Sequence, residues 1–232
     1  MTTVVGFASD AASFVEESSF FAAVVMTLWL YLSGFLANTF AMMWGKWLPK
    51  TGYGPWPIDG GKVWKDGERL LGDGKTWNGL IGGSLTSGLM CMLISISMGT
   101  PSSYSLIDAT IFVHPLTGYE DTWWNVGSVA GSAFLLGTML GFFCLLGDMT
   151  GSFFKRRRGL KREGNVSSKA PLLDTLPFAI MLFIFGQLVL GNALLSSTAL
   201  IPAMIALIVA TPILHRSFNL IGYAIGWKDV PY

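Results

Sequence analysis

The chain has 232 residues, of which 52% are hydrophobic and only 12% charged, and its mean hydropathy is +0.54. A soluble globular domain carries about 25% charged residues, so an ordinary water-soluble domain is excluded and an integral membrane protein is indicated. The formal net charge of +1 says nothing about partners until it is sorted along the chain. Cys91 and Cys144 both lie in apolar stretches, giving neither a disulfide framework nor zinc-type spacing.

Four stretches contain no Asp, Glu, Lys or Arg: Ser18–Gly45, Thr76–Ile107, Thr122–Gly147 and Thr175–His215. A spanning helix takes about 20 apolar residues, so the first three stretches hold one helix each. The fourth as a single helix would be about 61 Å long, near twice the hydrocarbon thickness. It also carries a break, Gly191-Asn192 followed by Ser196-Ser197-Thr198, and therefore predicts two helices. The expected architecture is an all-α integral membrane protein, one membrane domain over residues 1–232. Its five transmembrane helices fall at about 19–44, 77–99, 123–148, 173–195 and 198–225.

The basic residues give the orientation. Lys46, Lys50, Lys62, Lys65, Arg69 and Lys75 follow the first helix, and Lys155 to Lys169 follow the third. Arg216 and Lys228 end the chain, so all 15 Lys and Arg fall on one side of this arrangement. The positive-inside rule then places the N-terminus outside and the C-terminus in the cytoplasm. Two long cytoplasmic loops result, at about 45–76 and 149–172. Residues 1–17 have no basic n-region and are not expected to be a signal peptide. No internal repeat and no inverted pair of broken helices is visible.

The first cytoplasmic loop is rich in Gly and Pro and ends in Gly72-Asp73-Gly74-Lys75-Thr76. This is the closing part of a phosphate-binding loop, but Arg69 stands where that motif requires glycine, so the motif fails. Its physical ingredients survive: glycines that let backbone approach an anion, a cation at Lys75, and free N–H groups at a helix start. The plain alternative is a flexible solvated turn. Asp59, Asp66, Glu68 and Asp73 supply more acid here than topology needs.

The second loop begins Gly147-Asp148-Met149-Thr150-Gly151-Ser152-Phe153-Phe154-Lys155-Arg156-Arg157. If the third helix continues past Gly147, then Asp148, Ser152, Lys155 and Arg156 share one helical face. A carboxylate, a hydroxyl and two cations on one face suit a metal-bound polyphosphate: Asp can hold Mg²⁺ bridging phosphates, and Lys and Arg neutralise a departing pyrophosphate. A pure topology signal has no use for an acid at the bilayer edge. Asp174 opens the fourth helix, where it also suits an ordinary cap. His215 and Asn219, four residues apart, sit at the inner end of the fifth helix, where interfacial packing is the alternative role. Asn38 suits an interhelical hydrogen bond, and His114 reads as structural. The chain has no nucleophile elbow, no catalytic triad order and no basic-aromatic pattern for nucleic acid.

Taken together, these residues resemble the CTP-dependent phosphatidate cytidylyltransferases, and most closely the archaeal branch, the CDP-archaeol synthases. The matching pieces are Ala37-Asn38, Pro57-Ile58-Asp59-Gly60-Gly61, Asp66 through Thr76, Gly147-Asp148, Ser152-Phe153 and Lys155-Arg156-Arg157, closing with His215, Asn219, Tyr223 and Lys228. Two departures stand out: Arg162 follows Lys161 where the broader family has an acid, and its His-Gly-Gly step is absent. The resemblance implies an integral cell-membrane transferase facing the cytoplasm. It would join CTP to an isoprenoid glycerol phosphate lipid, 2,3-di-O-geranylgeranylglycerol 1-phosphate, with Mg²⁺, releasing pyrophosphate in phospholipid biosynthesis. Its expected catalytic residues are Asp148, Lys155, Arg156 and Asp174. Asp148 binds the metal with Asp174 or with an acid of the first loop. Asn38, Asp59, Asp66, Gly72, Gly74, Lys75, Thr76 and Ser152 serve the nucleotide, and His215 and Asn219 the lipid phosphate. The alternative is a small-molecule or lipid transporter with a basic cytoplasmic face. It would call for charged or polar groups at mid-bilayer, where this chain holds only small hydroxyls, Gln187 and glycine.

Overall fold

A computed structural model describes residues 12–101, 111–160 and 171–224, the side chains of 171, 215, 218, 219 and 222 excepted. Its principal helices are α1 (Phe20–Leu30), α2 (Leu32–Phe35), α3 (Ala37–Trp47), α4 (Trp77–Met98), α5 (Val129–Arg157), α6 (Pro171–Val189) and α7 (Ile201–Ala224). No strand forms among the described residues. Loop 48–76 has only two isolated bridges, Pro57 to Thr76 and Val63 to Arg69.

Three helices, Trp77–Met98, Val129–Arg157 and Leu172–Val189, are long and apolar enough to cross a membrane. Phe20–Leu30 and Leu32–Thr51 make a fourth if their path, bent by 64°, is one span. In α7 the apolar part covers only Thr198–Leu214. The chain is thus a multi-pass helical membrane protein.

Small residues bring these helices together. In lipid, apolar burial gives helices little reason to associate, so close backbone approach and van der Waals packing carry the fold. A Cβ on Gly88 of α4 would lie 2.2 Å from Thr138 Oγ1. One on Gly137 of α5 would lie 2.4 Å from Cys91 Cβ, and one on Gly141 would lie 2.7 Å from Ser87 Cβ. On its other flank α4 meets α3, where a Cβ on Gly83 would approach the Ala41 backbone nitrogen to 3.0 Å. The contact of α5 with α6 is made against backbone oxygens. Cβ atoms on Gly147 and Gly151 would sit 2.4 Å from Pro177 O and 2.3 Å from Leu173 O. These two glycines, one helical turn apart, seat the start of α6 against the polar end of α5.

The opposite end is closed by indole and phenol groups that satisfy loop carbonyls. Trp124 Nε1 donates to Leu190 O at 2.8 Å, Trp29 Nε1 to Val113 O at 2.9 Å and Tyr31 OH to Leu195 O at 2.8 Å. Tyr31 is fully buried at the bend between α1 and α2. His114 is buried at this end. Its Nδ1 accepts from the Leu116 N–H at 3.1 Å, which leaves Nε2–H to donate to Ser95 O at 3.1 Å. Burial lowers its pKa, with the two carbonyls opposing that shift, so the ring is neutral and structural.

Both boundaries of α5 differ from the expected 123–148. Residues 123–128 stand outside the helix, since Ser128 has extended backbone and its side chain accepts from Gly131 N–H. At its other end α5 runs on to Arg157. Asp148, Ser152, Lys155, Arg156 and Arg157 therefore ride on one continuous helix.

Candidate active site

Loop 48–76 folds around one carboxylate. Asp59 Oδ1 accepts from Arg69 Nη2 at 2.6 Å and from the Gly61 N–H at 3.1 Å. Its Oδ2 accepts from Arg69 Nε at 3.1 Å and from the Leu71 and Gly72 N–H groups, each at 3.0 Å. The Asp59 side chain is completely buried. Burial by itself would raise its pKa, but the Arg69 bonds and the three N–H donors together hold it far below the usual carboxylate range. Arg69 is in turn held above the ordinary guanidinium value, chiefly by its hydrogen bonds to Asp59. It also reaches Asp73 at 2.8 Å. The base of the loop is closed by Ile58 N–H donating to Lys75 O at 2.8 Å and Trp77 N–H donating to Trp56 O at 2.9 Å.

This knot delivers Asp73-Gly74-Lys75-Thr76 to the start of α4. Thr76 has extended backbone and caps the helix, its Oγ1 accepting from the Gly79 N–H at 3.1 Å. The Leu80 N–H donates to Thr76 O, and Trp77 to Trp56 O. Two of the four donors a helix start would offer an anion, the Trp77 and Gly79 N–H groups, are thus already used. The N–H of Gly72 likewise points at Asp59. What Gly72 provides is a positive φ of 89° and room for Arg156, whose Nη2 lies 2.6 Å from where a Cβ would be.

A cavity of about 430 Å³ opens between α3, α4, α5 and this loop. Asn38, Asp73, Gly74, Lys75, Thr76 and Asp148 are its polar lining, interleaved with apolar Ala41, Met42, Leu80, Leu145 and Met149. Lys75 Nζ pairs with Asp148 Oδ2 within that lining. A second pair joins Lys155 to Asp174, made possible by the close seating of α6 on Gly147 and Gly151.

Of the expected nucleotide residues, Asn38, Gly74, Lys75 and Thr76 line this cavity together with Asp148. Asp59, Asp66, Gly72 and Ser152 do not. Asp59 is the buried centre of the loop, Asp66 pairs with Arg157 at 3.1 Å, and Ser152 is buried within the helix packing. Lys155, Arg156 and Asp174 also lie off the cavity wall, Asp148 and Asp174 each closing on a different lysine. His215 and Asn219 belong to α7, and their side chains fall outside the described residues.

Asp73 is an addition to the cavity that composition alone did not single out from the other loop acids. Arg69 and Arg157 likewise gain roles no local spacing signals, because their partners lie on other turns of the loop or on another helix. Among the described residues no group of three or more His, Cys, Asp or Glu side chains gathers as a metal site. Asp148 and Asp73 in the lining of one cavity still match the chemistry of Mg²⁺, which takes one or two protein carboxylates and fills its shell with water and phosphate oxygens.

Fold and site together define a multi-pass helical membrane protein with a cavity of mixed charged and aliphatic lining at one end of its bundle. A family model described as CarS-like, CDP-archaeol synthase, matches residues 20–232. The CDP-archaeol synthase of Methanosphaerula palustris is 39% identical over 201 residues, covering 87% of this chain and 99% of its own. That of Thermococcus onnurineus is 35% identical over 210 residues, covering 90% and 98%. A solved structure of an intramembrane enzyme for archaeal membrane lipid biosynthesis aligns with a TM-score of 0.51 at 26% identity, covering 83% of this chain and 91% of that one. The chain belongs to the CDP-archaeol synthase family.

Proposed function

We propose that this chain transfers the cytidylyl group of CTP to an isoprenoid ether-lipid phosphate, giving a CDP-archaeol-type lipid and pyrophosphate. One observation carries this reading beyond family membership: a single cavity combines Lys75, Asp73, Asn38 and Asp148 with apolar side chains from three helices, as a nucleotide meeting a lipid phosphate requires. A conduit would instead carry its charges at mid-bilayer.

The reaction needs no protein nucleophile. A non-bridging oxygen of the lipid phosphate attacks the α-phosphorus of CTP and forms the new P–O–P linkage. The bond from that phosphorus to the oxygen bridging the β-phosphate breaks, and pyrophosphate leaves with the electron pair. Catalysis is then positioning and charge stabilisation. Lys75 exchanges its pairing with Asp148 for the triphosphate, while Asn38, Gly74 and Thr76 shape the nucleotide's place. Lys155 and Arg156 stabilise the departing pyrophosphate, with Asp174 holding Lys155. Asp59, Asp66, Gly72 and Ser152 serve the site through the loop and helix that carry it. His215 and Asn219 orient the lipid phosphate from α7. Asp148, with Asp73 as the loop acid, would hold a Mg²⁺ ion that neutralises charge on the phosphates.

The proposed setting is the cell membrane, with five spans, the N-terminus outside, and the site and C-terminus in the cytoplasm. The 15 basic residues on one side of that arrangement support it. The test is purified protein incubated with CTP, Mg²⁺ and lipid phosphates including geranylgeranylated glycerol phosphate, with pyrophosphate and lipid product measured by mass. Absence of any CTP-dependent lipid product sinks the proposal. Asp148→Asn is expected to abolish turnover while the protein stays folded in detergent; near-normal turnover removes Asp148 from the site.

A further inference from the structure

Arg157 stands at the last residue of α5, nine positions beyond Asp148, and turns back onto the loop. Its Nη2 donates to Arg69 O at 2.7 Å and to Glu68 O at 3.2 Å. Its Nη1 lies 3.1 Å from Asp66 as an ion pair without hydrogen-bond geometry, and its guanidinium carbon lies 5.0 Å from the Phe153 ring centre. Phe153 meets Trp64 of the loop edge-on, with ring centres 5.6 Å apart. Little of the Arg157 side chain reaches solvent, 16% by area. A cation serving only as a topology signal or a lipid-headgroup contact would be solvated; this one is spent on two backbone carbonyls, a carboxylate and a ring.

The residue it grips is the hub of the loop. Arg69 gives its carbonyl to Arg157 while its side chain holds Asp59 and Asp73. Asp73 adjoins Gly74-Lys75, and Lys75 returns to α5 at Asp148. The loop is therefore fastened to one rigid helix at two places, Asp148 and Arg157, with the Asp59–Arg69 knot between them. The Asp148–Lys75 fastening must open when Lys75 turns to a phosphate. The Arg157 fastening makes no contact with the cavity and can remain closed.

We propose that Arg157 is a positioning residue: it clasps loop 59–75 to the end of α5 and so fixes where Lys75 and Asp73 stand relative to Asp148 while the cavity exchanges ligands. The role needs the guanidinium, because one planar group must donate to two carbonyls through Nη2 while its charge faces Asp66 and its face meets Phe153. A lysine keeps the charge and loses that geometry. This inference rests on the cavity being the CTP site.

The test uses the full-length protein in detergent with CTP, Mg²⁺ and the geranylgeranylated glycerol phosphate. Arg157→Lys and Arg157→Ala are each expected to lower kcat/KM for CTP about tenfold or more, and to agree within about threefold. Arg158→Ala, which removes an equal charge from the exposed neighbouring residue, is expected to leave kcat/KM within about twofold. Recovery of wild-type kcat/KM by Arg157→Lys would show that charge alone matters and overturns the clasp.

Hydrogen exchange separates this inference from the functional reading. In both Arg157 variants the Leu71 and Gly72 amides, which bond Asp59, should exchange about tenfold faster while the α4 and α5 amides keep their protection. Unchanged protection of the loop overturns the clasp even where activity falls. Should the wild type make no CTP-dependent product, the functional reading fails, while the exchange data still decide whether the clasp exists. If Arg157→Ala does not fold, Asp66→Asn, which cuts one arm only, should show the same loop deprotection to a smaller degree; none would refute the clasp.

Discussion

Gly151→Ala tests whether backbone proximity between α5 and α6 builds the polar end of the protein. An added Cβ would stand 2.3 Å from Leu173 O and 3.1 Å from Pro177 Cγ. An ordinary carbon–oxygen contact is about 3.3 Å, so α6 must retreat about 1 Å. The obstacle is a backbone oxygen, which cannot rotate away as a side chain would. Overpacking of this kind costs about 1–3 kcal/mol, against which alanine regains about 0.8–1 kcal/mol of helix propensity over glycine. The net expectation is a loss of up to about 2 kcal/mol. For a chain of this size that lowers the Tm in detergent by up to about 8 °C. Gly45→Ala is the internal control: its Cβ would meet nothing closer than Thr76 Oγ1 at 3.6 Å, so only the propensity gain remains and Tm should hold or rise. Retreat of α6 also draws Asp174 from Lys155, so turnover of Gly151→Ala should fall more than its stability at the assay temperature accounts for. Thermal unfolding of both variants in the same detergent, alongside CTP turnover, decides the matter. A Gly151→Ala protein as stable as Gly45→Ala and as active as the wild type would refute the packing argument.

Asp59 supplies a pH signature. Its folded-state pKa lies below its unfolded value, so its contribution is fully present above the unfolded value of about 3.9 and is lost as pH falls from there toward the folded value. The stability gap between wild type and Asp59→Asn should be flat from pH 7 to about 5 and narrow below about 4. A gap that stays constant down to pH 3 would show that Asp59 is not the charged centre of the loop. Tyr31→Phe removes the donor to Leu195 O and leaves a buried carbonyl short of a partner. It should cost about 1–3 kcal/mol by thermal unfolding, with no pH dependence between pH 6 and 8; an unaltered Tm would mean the bond contributes nothing.

Much of the chemistry was legible because it is local. Helix α5 places Asp148, Ser152 and Lys155 at intervals of four and three, which is enough to set their common side wherever the helix lies. The Gly72–Thr76 segment announced a turn before a helix, since glycine permits the positive φ and threonine the cap. Other features left no local trace. Asp59 and Arg69 are ten residues apart in an irregular loop, and no periodicity relates them. The helix start at Thr76 looked free to bind an anion, yet Trp56 O and Thr76 Oγ1 take two of its four donors. Asp73 was one acid among four until the loop turned it into the cavity.

The sequence alone determined that the chain is a helical membrane protein whose cations gather between particular helices. Charge is costly in hydrocarbon, so its absence marks the spans and its presence marks the ends. Only the tertiary structure decided which acid meets which cation: Asp148 with Lys75, 73 positions away, Asp174 with Lys155, and Asp66 with Arg157. Those pairings depend on distances of a few ångströms between separate helices, or between a helix and loop 48–76. Glycines at 83, 88, 137, 141, 147 and 151 set these distances by allowing backbones to touch, and a packing contact between remote residues has no signature in either one's neighbours.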